Sequence, residues 1–149
     1  MKPQLKQSLA MATGMAAEAV DPWWVIGSAA VALHGGAVGH VKDIDLMMSA
    51  RDAEGFLRRA GVQTRGGERS DRFRSAVFGT WSVPPVPVEV FGGFDVAIDG
   101  VWQPVVFETR EAVRVGEMEV FVPSRSELVR LLHSFGRPKD LERAALISG

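Results

Sequence analysis

Two closely spaced aspartates and a distant glutamate are the residues in this chain whose types and spacing could do chemistry. Asp43 and Asp45 are separated by one apolar residue, and Glu89 lies in a second apolar segment, residues 86–91. Side chains alternate along a β-strand, so both aspartates would point to one face with Cβ atoms roughly 6–7 Å apart. Carboxylates held together among apolar residues repel each other, and burying them without compensation is costly. A hard divalent cation removes this cost, and Mg²⁺ binds one or two carboxylates together with phosphate oxygens.

The glutamate decides between two interpretations of the aspartate pair. An isolated pair of this kind can face solvent at the edge of a sheet, and an isolated strand glutamate usually does. If the strand of Glu89 lies beside the strand of Asp43 and Asp45, the three carboxylates can share one metal ion. We therefore predict a Mg²⁺ site, which Mn²⁺ could also occupy, formed by Asp43, Asp45 and Glu89.

A candidate phosphate site precedes the aspartates. Residues 23–26 are aromatic and β-branched, as is typical of a buried strand, and Gly27 and Ser28 follow at the start of a predicted helix. Such a junction presents unpaired backbone N–H groups and a hydroxyl to a phosphate, although it can also be a plain turn with a serine N-cap. Together with the acidic residues, this junction indicates a site for a nucleoside triphosphate and a metal ion.

The elements that would position these residues follow from apolar periodicity, caps and turn residues. Ser49 with Asp52, and Ser124 with Glu127, have the spacing of a capping box at a helix start. We predict helices over residues 4–19, 29–34, 49–61, 124–135 and 138–147. We predict strands over residues 23–26, 43–48, 73–78, 86–91, 101–107, 112–115 and 118–121.

The remaining segments are predicted as connections. Residues 62–71 are polar and glycine-rich and predict a loop, and the proline-rich residues 83–87 predict a rigid connection. The glycine pairs at 35–36, 66–67 and 92–93 are interpreted as turns, because they lack the spacing of a dinucleotide-binding or P-loop motif. The order of elements predicts one α+β (mixed α/β) domain over residues 1–149, with helices packed on a mixed β-sheet.

Composition excludes several classes of protein. The 149 residues carry 17 Lys and Arg against 18 Asp and Glu, a net charge of −1, which argues against a protein that mainly coats nucleic acid. The chain has no cysteine, so disulfides, thiolate zinc sites and a cysteine nucleophile are excluded. No apolar stretch has the length of a membrane span, and no signal peptide is evident. We expect a soluble cytoplasmic protein without a membrane partner.

The segment from Trp23 to Met48, WWVIGSAAVALHGGAVGHVKDIDLMM, resembles the core of the nucleotidyltransferase superfamily. That pattern comprises an apolar strand, Gly-Ser or Gly-Gly, a short helix, an Asp-x-Asp pair and a later strand with a third acid, here Glu89 where Asp is usual. The tandem tryptophan and Asp-Ile-Asp resemble the antibiotic-modifying members. The tail from Pro123 to Leu141 resembles small prokaryotic members, including toxins of toxin–antitoxin pairs.

The resemblance implies transfer of a nucleoside monophosphate from an NTP, with ATP favoured, to an acceptor hydroxyl, with release of pyrophosphate. Asp43, Asp45 and Glu89 would be the catalytic and metal-binding residues, with Glu89 facing the attacking oxygen. Gly27 and Ser28 would hold the β- and γ-phosphates. Further candidate contacts to the nucleotide or the acceptor, each of which has a solvated surface role as its alternative, are Lys42, Arg72, Arg74, Arg137 and Lys139.

The identity of the acceptor stays open at this stage. Acceptors in the superfamily include small molecules such as antibiotics, protein side chains and tRNA ends. Because the chain is short, a second subunit could complete the acceptor pocket, so a homodimer or an operon partner is expected. Two alternatives remain: a non-catalytic module with this fold that regulates a partner, for example in a toxin–antitoxin pair, and a plain interaction domain with solvent-facing aspartates.

Overall fold

The computed structural model describes residues 1–148, except for the side chains of residues 66–68, so the predicted domain of residues 1–149 extends one residue beyond the described part. The helices are α1 (Pro3–Ala16), α2 (Gly27–Leu33), α3 (Ala50–Arg59), α4 (Arg125–Phe135) and α5 (Pro138–Ile147). The strands are β1 (Trp24–Ile26), β2 (Ile44–Met48), β3 (Arg65–Arg69), β4 (Phe73–Trp81), β5 (Val88–Ile98), β6 (Val101–Pro104), β7 (Glu111–Val115) and β8 (Met118–Val122).

Six of the strands form one mixed sheet, which confirms the predicted α+β fold. Its order is β1-β2-β5-β4-β3, and β6 pairs with the second half of β5. The pairing of β2 with β5 is parallel and the other pairings are antiparallel. The antiparallel hairpin of β7 and β8 is separate in hydrogen bonding but contacts β1 and α1. A parallel pair in the middle of the sheet brings residues from distant parts of the sequence side by side.

The core lies between this sheet and the helices. The apolar residues of β2 and those in the first half of β5 are buried, and Leu9 of α1, Phe56 of α3 and Leu128 of α4 pack against the same core. Burial of this apolar surface is the main free-energy gain on folding. Among residues 1–148, no helix combines the length and the apolar character needed to cross a bilayer.

Three segments differ from the sequence-based prediction. Residues 62–71, predicted as a loop, contain β3, and the glycine pair at 66–67 lies within that strand instead of at a turn. The strand forms because its backbone pairs with β4, with Arg65 opposite Phe78. The two strands form a hairpin that turns at residues 70–72, and the polar, glycine-rich composition of residues 62–71 does not show the apolar alternation of a strand.

The glycine pair at 92–93, predicted as a turn, lies in the middle of β5. A Cβ atom at Gly92 would lie 2.7 Å from the Ser49 carbonyl oxygen and 2.8 Å from the Cα of Ala50. Glycine is therefore required for the close approach of α3 to the sheet, not for a change of chain direction. In addition, the predicted strand over residues 101–107 ends at Pro104.

The predicted helix caps are present, but their carboxylates bind elsewhere. The Ser49 and Ser124 side chains accept hydrogen bonds from the backbone N–H groups of Asp52 and Glu127. The Glu127 carboxylate does not return to its own N-cap. It accepts hydrogen bonds from the backbone N–H groups of Glu108 (2.9 Å) and Thr109 (2.7 Å) and from the Thr109 hydroxyl. Glu127 thus ties the segment before β7 to the start of α4.

Replacement of Glu127 by alanine is expected to lower the free energy of unfolding by about 1–3 kcal/mol, because it leaves backbone donors without their acceptor. The matched control is Glu142→Ala, which removes an exposed carboxylate from α5 and should change stability by less than about 0.5 kcal/mol. Urea denaturation of both variants checks this expectation. Equal stability changes in the two variants would contradict the assigned role of Glu127.

Candidate active site

Parallel pairing of β2 with β5 brings the three acidic residues together. Asp45 lies directly opposite Glu89 in this register, and Asp43 immediately precedes β2. One carboxylate oxygen from each of Asp43, Asp45 and Glu89 lies within 4.8 Å of the other two. All three residues are half-buried. The sequence predicts a shared metal site only if the two strands are neighbours, and the structure meets this condition.

The Gly-Ser junction is held against this cluster by the antiparallel pairing of β1 with β2, in which Ile26 lies opposite Asp45. Gly27 begins α2 with φ +68°, a conformation that favours glycine. A Cβ atom at Gly27 would fall well inside contact distance of the Asp45 carboxylate. The absence of a side chain at Gly27 thus makes the space in which the carboxylate of Asp45 lies.

A cavity of about 510 Å³ opens over these groups, a volume typical of small-ligand sites. Its lining has an acidic part, Asp43, Asp45 and Glu89; a basic part, Lys42, Arg69, Arg74, Arg137, Lys139 and Arg143; and an apolar part, Ile26, Phe73, Phe78, Phe91, Phe94 and Phe135. The hydroxyl-bearing residues Ser28, Ser70 and Ser75 complete it. Cations therefore outnumber carboxylates two to one in the lining of this cavity.

The acidic groups strongly affect one another's protonation. Burial, together with the charges of Asp43 and Glu89, raises the pKa of Asp45 to about 8. Burial and the neighbouring Asp43 likewise raise the pKa of Glu89, while Lys139 and Lys42 act in the opposite direction. Burial and mutual repulsion thus disfavour the ionised form of these carboxyl groups in the absence of a metal ion. Three hard oxygen ligands this close together fit Mg²⁺ or Mn²⁺.

The predicted basic contacts fall into three groups. Lys42 and Lys139 line the cavity, and neither forms an ion pair with a carboxylate that the structure describes. Arg74 and Arg137 also line it, but each is held by a carboxylate, Arg74 by Asp95 (2.7 Å) and Arg137 by Asp140 (2.6 Å).

The structure places Arg72 differently from the other predicted contacts. Its guanidinium donates a hydrogen bond to the carbonyl oxygen of Phe135, near the end of α4, and it is not among the lining residues. This geometry favours a role in joining the start of β4 to α4.

Several lining residues were not singled out from the sequence. Arg143 lies four residues after Lys139 on α5, and that helical spacing could have identified it. Arg69 was hidden in the segment predicted as a loop. The phenylalanines come from β4, β5 and α4, and only the tertiary fold brings their rings together, with centroids of Phe73 and Phe135 4.8 Å apart.

The chain was compared with known proteins, and neither a family model nor a curated protein sequence matches it. Solved structures do match. One is a "putative nucleotidyltransferase (TM1012)" from Thermotoga maritima, with a TM-score of 0.79 and 22% identity, covering 95% of this chain and 91% of that one.

The antibiotic-resistance factor ANT(2'')-Ia matches in two structures. Its solution structure has a TM-score of 0.64 and 13% identity over 99% of this chain and 84% of that one. Its complex with adenylyl-2''-tobramycin has a TM-score of 0.58 and 14% identity over 95% and 87%. The chain therefore has the fold of the nucleotidyltransferase superfamily.

Replacement of Gly27 by alanine should displace the Asp45 carboxylate and weaken binding of Mn²⁺ at least about tenfold. It should also lower the free energy of unfolding by more than the roughly 1–2 kcal/mol that a left-handed backbone costs a non-glycine residue. The matched control is Gly61→Ala, since Gly61 has φ +72° but open space where its Cβ would lie. Isothermal titration with Mn²⁺ and urea denaturation measure both effects. Identical behaviour of the two variants would show that Gly27 makes no room for Asp45.

The raised pKa of Asp45 predicts a pH dependence of the metal-free protein. Between the unfolded pKa of 3.8 and the folded value of about 8, the folded state binds more protons than the unfolded state. Stability should therefore fall as pH rises from 5 to 8, by at least about 1.4 kcal/mol, the equivalent of one pKa unit. In Asp45→Asn this loss should be much smaller. Urea denaturation in EDTA at several pH values checks it, and equal pH profiles for both proteins would contradict it.

Proposed function

We propose that this protein is a metal-dependent nucleotidyltransferase that moves a nucleoside monophosphate from an NTP to an acceptor hydroxyl. One observation with two halves carries the proposal. The carboxylates of Asp43, Asp45 and Glu89 lie together in a cavity that cations also line, and the chain has the nucleotidyltransferase fold. Neither half of that observation is sufficient alone, because a fold hosts many functions and an acidic cluster can exist without a metal.

In this proposal Asp43, Asp45 and Glu89 hold one or two Mg²⁺ ions. When bound, the metal neutralises charge on the α-phosphate and on the leaving pyrophosphate. Gly27 and Ser28 contact the β- and γ-phosphates. Lys42, Arg137 and Lys139 add positive charge along the triphosphate. Arg143, which lines the same cavity but was not a candidate from the sequence, adds a further positive charge. Such preformed charge needs no rearrangement as the reaction proceeds.

The reaction is an in-line displacement at the α-phosphorus. The acceptor oxygen forms a bond to this phosphorus while the bond to the bridging oxygen breaks and pyrophosphate leaves with its electron pair. Glu89 accepts the proton of the acceptor hydroxyl. Its position beside the two aspartates supports this role, because a general base must lie within hydrogen-bond reach of the attacking oxygen.

ATP is the favoured donor. The support is indirect: ANT(2'')-Ia, which shares the fold, has been captured with adenylyl-2''-tobramycin. Its acceptor does not carry over to this chain at 14% identity. A homodimer or an operon partner remains the proposed source of further acceptor contacts.

A thermal-shift titration tests the donor half of the proposal. With Mg²⁺ and an NTP at a hundredfold excess over Kd, native-state binding should add about 2.7 kcal/mol of stability and raise Tm. The shift should require Mg²⁺ and disappear in Asp45→Asn. Asp99→Asn is the matched control, since Asp99 is an exposed aspartate in the turn after β5, and it should retain the full shift.

Apo melting temperatures must be subtracted for each variant, because Asp45→Asn also changes the stability of the metal-free protein. Pyrophosphate release measured with the same variants separates catalysis from binding. No shift with any of the four NTPs, or an equal shift in Asp45→Asn and wild type, would overturn the proposal.

A further inference from the structure

Asp140, in the first turn of α5, holds the side chain of Arg137, the residue just before that helix. The Asp140 carboxylate accepts hydrogen bonds from Nε (2.6 Å) and Nη2 (2.9 Å) of Arg137 and from its backbone N–H (3.2 Å). Asp140 has no exposed surface, whereas the side chain of Arg137 is 33% exposed and lines the cavity. A fully buried aspartate therefore anchors a guanidinium group that reaches the cavity.

Two aromatic rings border the same guanidinium group. Its Cζ atom lies 4.9 Å from the centroid of the Phe73 ring and 5.9 Å from that of the Phe135 ring. These two rings meet edge to face, with centroids 4.8 Å apart. Stacking on aromatic rings restricts the plane of an arginine fork. The carboxylate and the two rings together leave the guanidinium of Arg137 few orientations.

The ion pair with Asp140 occupies only one edge of this guanidinium group. Arginine has five N–H donors, and a carboxylate on Nε and Nη2 uses two of them. Within residues 1–148, no hydrogen bond from Nη1 of Arg137 is formed, so the edge of Nη1 and Nη2 can still bind a phosphate in the bidentate manner. The positive charge of Arg137 acts on Asp45, which places this group at the acidic end of the cavity.

We propose that Asp140 is a positioning residue of the donor site: it orients Arg137 so that the open edge of the guanidinium receives a phosphate of the NTP. This inference rests on the proposed function. A buried carboxylate is compensated for its lost hydration only by a partner that is fixed and fully hydrogen-bonded. A role limited to capping α5 would require only the hydrogen bond from the backbone N–H of Arg137, and it would leave the two bonds to the guanidinium without a purpose.

Charge alone predicts the opposite effect for the removal of this carboxylate. Asp140→Asn removes a negative charge near a site for an anionic ligand, which by Coulomb's law tightens binding of that ligand. The amide of asparagine has a single acceptor oxygen, so it cannot hold both Nε and Nη2 of Arg137. The guanidinium then loses its orientation, and we expect binding to weaken.

Isothermal titration of a non-hydrolysable ATP analogue, at saturating Mg²⁺, measures this effect in a double-mutant cycle. The four proteins are the wild type, Asp140→Asn, Arg137→Met and the variant with both substitutions. We expect Arg137→Met to weaken binding at least about tenfold and Asp140→Asn at least about threefold. In the Arg137→Met background, Asp140→Asn should not weaken binding further, because the side chain that Asp140 positions is gone.

The matched control is Glu142→Gln, which removes an exposed carboxylate from the same helix and should leave binding of the analogue unchanged. Urea denaturation in EDTA verifies that each variant is folded. If Arg137→Met does not fold with Asp140 unpaired, Arg137→Lys replaces it in the cycle. Lysine keeps the positive charge beside Asp140 but has no second edge for a phosphate, so the expected pattern is the same.

The outcomes distinguish this inference from the proposed function. Wild-type or tighter binding in Asp140→Asn, the same weakening by this substitution in both backgrounds, or equal weakening by Glu142→Gln would overturn the inference. Each of these results would leave the nucleotidyltransferase proposal intact, since the wild type still binds the analogue. An analogue that does not bind the wild type would overturn both.

Discussion

Electrostatic repulsion among three carboxylates is the constraint around which the rest of this structure is arranged. Oxygens of Asp43, Asp45 and Glu89 within 4.8 Å of one another would separate if their backbones were free to move. They are held because β2 and β5 are buried and paired in parallel, with Asp45 opposite Glu89. The apolar core therefore supplies the free energy that keeps the charges together. Three carboxylate oxygens this close together form a group that could hold a metal ion.

The same constraint explains the immediate surroundings of the site. Gly27 lacks a side chain where the Asp45 carboxylate lies, and its positive φ turns the chain from β1 into α2. On the other side, α5 directs Lys139 and Arg143 into the cavity, and Arg137 is fixed at its start by Asp140. The three carboxylates are thus bordered by cations that line the same cavity. This arrangement suits a ligand that brings both a metal ion and phosphates.

Much of this site could be predicted from the sequence, because its parts are local. The alternation around Asp43 and Asp45, and the Gly27–Ser28 junction after an apolar strand, are visible in short segments. The pairing of β2 with β5 could not be deduced, since strand neighbours are chosen by the whole sheet, and so the role of Glu89 stayed conditional. The resemblance to the superfamily implied that Glu89 belongs to the site, and the structure supplied the strand pairing.

The elements that the sequence did not predict have a common physical cause. β3 exists because its backbone pairs with that of β4 in a hairpin, and Gly92 lies in a strand because α3 approaches it closely. Both features depend on packing and pairing that residue composition does not show. The carboxylates of Asp52 and Glu127 have capping-box spacing, yet they accept hydrogen bonds from residues 20–21 and 108–109 instead. The contact of Arg69 and Arg74 with the ring of Trp102 likewise needs three strands to assemble, and only the separate residues are visible in the sequence.

Anomalous diffraction from crystals grown with Mn²⁺ and a non-hydrolysable ATP analogue tests the central claim most directly. The account predicts a manganese peak between β2 and β5, with oxygens of Asp43 and Asp45 roughly 2.1–2.2 Å from the ion, close to the distance for Mg²⁺. The triphosphate should lie beside Gly27 and Ser28. A structure that contains the bound nucleotide, but has no manganese at these carboxylates, would contradict the account.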